Sequence, residues 1–171
     1  MERWAKGYSR AELDRAQDRY GLRFPPDLID LLLDRRPADG FDWRTDEKSI
    51  RDMLDWPFER LRFDVDHGAW WPGWGERPRV RAERVAVLKW ALGKAPKLIP
   101  LYSHRFLPET PGKAGNPVFS MHGFDTIYYG ANLEEYFACE FEGLRELGGV
   151  RHIPFWSDIV ERYEDVLRGQ E

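Results

Sequence analysis

Apolar residues recur at helical spacing through the first fifty positions and again near the end, while the middle of the chain alternates. Leu13, Ala16, Gln17 and Tyr20 share one face of a predicted helix, Ser9 and Glu12 form a capping box at its start, and Gly21 supplies the stop. Phe24-Pro25-Pro26-Asp27 launches a second helix, from 27 to about 35, with Leu28, Leu31 and Leu32 as its apolar stripe and Pro37 as its end. A third, short helix is expected from about 46 to 55, carrying Ile50, Met53 and Leu54. Pro57 then predicts extended chain.

Beyond this point the period shortens. Leu61, Phe63 and Val65 alternate with Arg62, Asp64 and Asp66, the pattern of a half-buried strand. A Trp-rich loop follows, then a helix over 81–92 through Val85, Leu88 and Trp90. Residues 99–102 and 118–121 read as strands. His122-Gly123-Phe124-Asp125 turns into a further strand, 126–129, which predicts a hairpin. Asn132 is the N-cap of a helix running to about 147. Gly148-Gly149 separates it from a last helix over 157–167, with Ile159, Tyr163, Val166 and Leu167 inward. Without repeat or linker, the order predicts one α+β domain over 1–171, a central and mainly antiparallel sheet of about four to six strands wrapped by helices.

Composition narrows the class of protein. With 171 residues, 42% hydrophobic and 33% charged, the chain is globular and large enough to bury a core. No apolar run approaches the length of a membrane span, and the charged start shows no leader pattern. A single cysteine, Cys139, forms no internal disulfide, so the expectation is a soluble protein of a reducing cytoplasm. The net charge of −4 is uneven: residues 132–171 hold ten acids against four arginines, a local −6 that leaves +2 elsewhere. Such a segment repels phosphate and attracts basic surfaces, which disfavours direct nucleic-acid binding. Aromatics reach 15%, with Trp56, Trp70, Trp71 and Trp74 in or beside two short Pro-rich stretches. Each ring there either caps a core or forms a recognition platform, and each indole N–H needs a partner.

Catalytic patterns are weak. His67, His104, His122 and His152 have no metal-ligand spacing, and Cys139 sits between aromatics beside the acidic Glu140, which is not the electropositive setting of a reactive thiolate. Gly112-Lys113-Ala114-Gly115-Asn116 runs into Pro117, so no helix N-terminus follows to hold an anion. Ser120 lies within a strand, not at a nucleophile elbow. No cofactor is expected. The Trp clusters suit sugar stacking, which keeps a carbohydrate binder or hydrolase open as an alternative.

Several ordered motifs then point to a family. His104-Arg105-Phe106-Leu107-Pro108, Gly115-Asn116-Pro117-Val118-Phe119-Ser120 and Asp125-Thr126-Ile127-Tyr128-Tyr129-Gly130 follow one another, with Leu133 and Tyr136 after them. Earlier come Phe24-Pro25-Pro26-Asp27-Leu28, Asp42-Trp43-Arg44, Trp56-Pro57, Phe63-Asp64-Val65, Trp70-Trp71, Trp74-Gly75 and Leu98-Ile99-Pro100. From about Tyr20 to Tyr136 the chain resembles the SUKH superfamily, in its branch related to the fungal cell-wall assembly regulator. It departs in lacking the polar residue usual just before Asp125 and in having Phe106 where relatives often have Tyr. The resemblance implies a single α+β domain without enzymatic activity. Bacterial relatives typically neutralise a polymorphic toxin by direct binding in the cytoplasm; fungal ones are interaction hubs in cell-wall signalling.

On that resemblance the expected partner is a cognate toxin domain, and the alternative is a regulatory interaction module with no toxin. Exposed aromatics make the strongest contacts at such interfaces and acids steer basic partners. The candidate partner-binding residues are therefore Trp70, Trp71, Trp74, His104, Arg105, Tyr128 and Tyr129, with Asp64, Asp66, Glu134 and Glu135 steering. Arg105 is also placed to pair with Asp125 across the sheet and fix its register.

Overall fold

The structure, a computed structural model, describes residues 2–144 and 147–168, with side chains as far as residue 163. Its chain order is β1 (Trp4–Lys6), α1 (Arg10–Tyr20), α2 (Pro26–Asp34), β2 (Arg35–Pro37), α3 (Glu47–Asp66), α4 (Arg81–Lys94), β3 (Leu98–Tyr102), β4 (Arg105–Pro108), β5 (Val118–Ser120), β6 (Ile127–Gly130), α5 (Leu133–Glu142) and α6 (Trp156–Arg168). The fold is α+β. An antiparallel sheet runs β3-β4-β5-β6, and β1 pairs with β2 in a separate two-stranded ribbon.

Strands β3, β4 and β5 are buried on both faces, and β6 is a half-exposed edge on which Ile127 is open to solvent. Leu98, Phe106 and Phe119 point into one apolar cluster; their neighbours Ile99, Leu107 and Val118 point into another. The first core is closed by α1, α2, α5 and the start of α3, the second by the rest of α3, α4 and α6. Such strands read as continuous apolar runs because each side chain meets a core on its own side.

The local chemistry of α1 is as expected. Ser9 Oγ accepts from Glu12 N at 3.1 Å, Glu12 returns the bond at 2.9 Å, and Gly21 closes the helix at φ 63°. Asn132 caps α5, accepting from Glu135 N at 2.9 Å. That helix ends at Glu142, not near 147, because Gly143 turns left-handed at φ 72°. The second helix likewise stops at Asp34, short of Pro37, and Arg35–Pro37 become the strand that pairs with β1. Strands β5 and β6 form the expected hairpin around a 3-10 turn at Gly123–Asp125. Of the predicted inward residues of α6, Ile159 is buried and Tyr163 half-buried, while the side chains of Val166 and Leu167 lie outside the described residues.

The expectation of a strand at 61–65 is overturned. Helix α3 runs unbroken through Pro57 to Asp66, so Asp64 and Asp66 stand on a helix. Leu61 and Val65 are spaced for a helix as well as for a strand, and only Phe63 separates the two periods. Ile50, Leu54, Pro57, Leu61 and Val65 form one stripe, whereas Phe63 is 47% exposed on the opposite side. Pro57 forfeits one backbone bond. The turns around it are anchored to the hairpin: Trp56 Nε1 donates to the Met121 carbonyl at 2.8 Å, and Phe124 N donates to Asp64 Oδ2 at 2.9 Å. A strand would give Phe63 and Val65 equal weight; the helix separates them. Val65→Ala is expected to cost roughly 1.5–2 kcal/mol for its two lost carbons and the space they leave, and Phe63→Ala less than about 1 kcal/mol, in urea denaturation.

Candidate functional site

The predicted site residues fall into two groups on opposite faces of the sheet. On the side of the second core, Trp70, Trp71 and Trp74 are half-buried and cover that core. Trp70 Nε1 donates to the Gly75 carbonyl at 2.8 Å, Trp70 meets Trp74 edge-on with centroids 5.2 Å apart, and Trp71 lies parallel to Phe124 at 6.3 Å. The loop is therefore a lid built from its own rings. Asp64 is engaged by the hairpin turn, and Gly123 brings the backbone so close that a Cβ there would collide with the Asp64 carboxylate. Asp66 takes two bonds from Arg81 and one from Arg62, each 3.0 Å, and the Arg81 guanidinium holds its carboxyl below the usual range. Tyr128 donates to Glu161 Oε1 at 2.9 Å, and burial pushes its phenol up to about 12.

On the side of the first core, His104, Arg105 and Tyr129 meet beneath α5. Arg105 and Ser120 are register partners in β4 and β5, and Arg105 Nη1 donates to Ser120 Oγ at 2.8 Å. The guanidinium lies 3.9 Å from the centroid of Tyr129 and 3.5 Å from Glu140, both charged side chains being only 12% and 15% exposed. Arg105 thus pairs with Glu140 on α5, not with Asp125 as the sequence suggested. Arg105 and Ser120 face the first core, while Asp125 sits in the turn that packs on α3 and α6. The Tyr136 hydroxyl is buried beside this pair with no hydrogen bond among the described residues, and burial raises its pKa, with Glu140 adding to the effect.

His104 accepts from Arg105 Nη1 through Nε2. An arginine only donates, so the ring proton sits on Nδ1, which faces Ser103 Oγ at 3.0 Å. Burial, then Arg105, then His122 (ring centroid 4.2 Å away) push the imidazole down to about 4 from 6.5. As pH falls the unfolded chain takes up this proton first, so the contribution of His104 to stability is lost between about 6.5 and 4 and is flat above that window. In urea melts at pH 7 and at pH 4.5, His104→Gln is expected to show a smaller acid-induced loss than the wild type.

Glu134 and Glu135 part ways on α5. Glu135 turns inward and accepts from Ala131 N and Gly148 N, each at 3.2 Å. Glu134 is exposed on the wall of an open cleft of about 580 Å³ between α5, α2 and the β1–β2 ribbon. Trp4, Leu31, Leu133, Phe137 and Phe141 form its apolar floor, and Trp4 packs on Phe137 at 4.9 Å and on Phe141 at 5.0 Å. The rim carries Glu134 and Glu142 on one side and Arg35 on the other, where the Arg35 guanidinium lies 4.2 Å from the centroid of Trp4. Of the eleven predicted residues only Glu134 lines this cleft. Its other walls come from distant stretches of chain, although the four-residue repeat Leu133, Phe137, Phe141 on α5 was visible in the sequence.

Of the ten acids of residues 132–171, Glu146, Glu164, Asp165 and Glu171 lie outside the described residues or side chains. Among the described residues no three His, Cys, Asp or Glu are grouped to hold a metal ion, and no helix is long and apolar enough to cross a membrane. Cys139 is a half-buried free thiol on α5. No protein-family model, no curated protein and no solved structure matches this chain.

Proposed function

We propose that this is a non-catalytic binding protein, acting in the cytoplasm as an immunity protein that neutralises a cognate toxin domain by direct contact. The observation that carries the binding role is the cleft beside α5: an open, aromatic-floored trough with the exposed carboxylates Glu134 and Glu142 on one wall. A mostly apolar concavity with a few polar groups at its margin is the usual form of a recognition site. Toxins that act on nucleic acid present basic surfaces, to which an acidic wall is complementary. The immunity role itself rests on the ordered motifs that resemble the SUKH superfamily. The tryptophans of the 70–74 loop are half-buried against the second core, which weighs against their serving as a sugar-stacking platform.

The test is affinity capture of the tagged protein from its host lysate, followed by co-expression of the captured partner. A stoichiometric partner with a C-terminal toxin domain, whose toxicity this protein relieves, is the expected result. A cellular partner with no toxin domain assigns the chain to the regulatory class.

A further inference from the structure

Helix α5 presents two parallel ridges to the cleft. Leu133, Phe137 and Phe141 follow one another at four-residue intervals along the floor, and Glu134, Ala138 and Glu142 run beside them along the wall. Ridges of this i, i+4 type leave a groove between them, and the side chains that fill such a groove best are the matching ridge of another helix. Eight residues of helix separate the two carboxylates by about 12 Å, a little over two turns.

These two acids differ from the rest of their helix. Glu135 is held by backbone N–H groups and Glu140 by Arg105, whereas Glu134 and Glu142 make no hydrogen bond or ion pair among the described residues. Across the floor, Arg35 is already engaged by the ring of Trp4 and lies 3.9 Å from Asp34. Asp27, Glu134 and Glu142 line the cleft against Arg35, and the Arg3 guanidinium lies 5.6 Å from the Phe141 ring at its end, so three acids face two arginines and the balance is negative. Negative charge stands at both ends of a small residue, Ala138, where a bulky neighbour has room to settle. An open trough of this shape covers one side of a long partner, in contrast to the enclosure that small ligands need.

We infer that the cleft receives a single amphipathic α-helix of a basic protein partner. Its apolar ridge lies on Leu133, Phe137 and Phe141, a large apolar side chain sits over Ala138, and two Lys or Arg about seven or eight residues apart meet Glu134 and Glu142. This rests on the reading of the cleft as the binding site and adds the secondary structure, charge and spacing of what it binds.

The probe is a fluorescein-labelled synthetic helix with a leucine ridge and lysines at two-turn spacing, titrated with the full-length protein and read by anisotropy. The same peptide with glutamates for lysines, and a scrambled peptide of equal composition, serve as comparisons. Wild type is expected to bind the basic helix alone, with affinity falling as salt rises. Glu134→Lys with Glu142→Lys is expected to weaken it at least about tenfold and to accept the glutamate peptide instead. Ala138→Trp, which fills the trough without touching the buried floor, is expected to abolish binding while leaving the urea midpoint in place. Equal binding of the scrambled peptide, or indifference to the charge reversal or to Ala138→Trp, overturns the inference. Repeating the lysate capture with Ala138→Trp separates the two levels. A partner that this variant still retains refutes the helix-in-cleft inference and leaves the binding role standing, whereas a wild type that captures no partner undercuts the role itself.

Discussion

Gly130→Ala is expected to lose at least about 3 kcal/mol in urea denaturation, enough to leave a domain of ordinary stability largely unfolded under mild heating. The reason is a close approach. At the end of β6 the backbone runs against the first turns of α5, and a Cβ on Gly130 would lie 2.7 Å from the N, Cα and Cβ atoms of Tyr136. Those are main-chain atoms and the root of a fully buried side chain, so no rotamer change relieves the overlap. Either β6 leaves β5 or α5 lifts from the sheet. The control is Gly93→Ala in α4, where an added methyl meets nothing within 4 Å and the substitution exchanges a poor helix former for the best one. That variant is expected to gain up to about 1 kcal/mol, the opposite sign from the same chemical change.

Arg105→Ala is expected to cost about 3–5 kcal/mol, because it strands Glu140 as an uncompensated charge in a mostly buried position. Three further contacts go with the guanidinium: the bond to Ser120, the stacking on Tyr129 and the hydrogen bond that fixes the tautomer of His104. Arg105→Lys is expected to recover only part of the loss, since an ammonium reproduces the charge but neither the planar stacking nor the forked donors. The decisive measurement is the double-mutant cycle. Removing Glu140 together with Arg105 takes away both ions at once, and Arg105→Met with Glu140→Leu is expected to be far less destabilised than the sum of the single variants. If the losses simply add, Arg105 and Glu140 are not coupled and the stability of the site comes from its aromatic packing.

What the sequence revealed was whatever is decided locally. The capping box at Ser9 and Glu12, the left-handed stop at Gly21, the N-cap at Asn132 and the β5–β6 hairpin each depend on residues within a few positions of one another. Helix α3 failed that test because Leu61 and Val65 satisfy two periods, and the proline rule outweighed the long-range anchors at Met121 and Phe124 that carry the helix past Pro57. Strands of three residues, β1 and β2, carry no periodicity to read. The candidate site was harder still. Glu134 stands out by charge, but Trp4, Leu31 and Arg35 join it only through tertiary packing, and the partner of Arg105 lies thirty-five residues away, on α5. The tryptophans attracted attention because they are conspicuous as letters. In the molecule Trp70, Trp71 and Trp74 are half-buried against the second core, whereas Trp90 on α4 is 60% exposed.

The sheet with a core on each face works as a partition. Each strand residue answers to one compartment, so a volume change at Phe119 or Leu98 is absorbed among α3, α4 and α6, while the cleft is shaped by residues that touch only the other side. Substitutions in the two compartments are expected to combine additively. On the proposed binding role, that separation lets the wall and floor around α5 change their fit to a partner while the tryptophan-capped core keeps its packing.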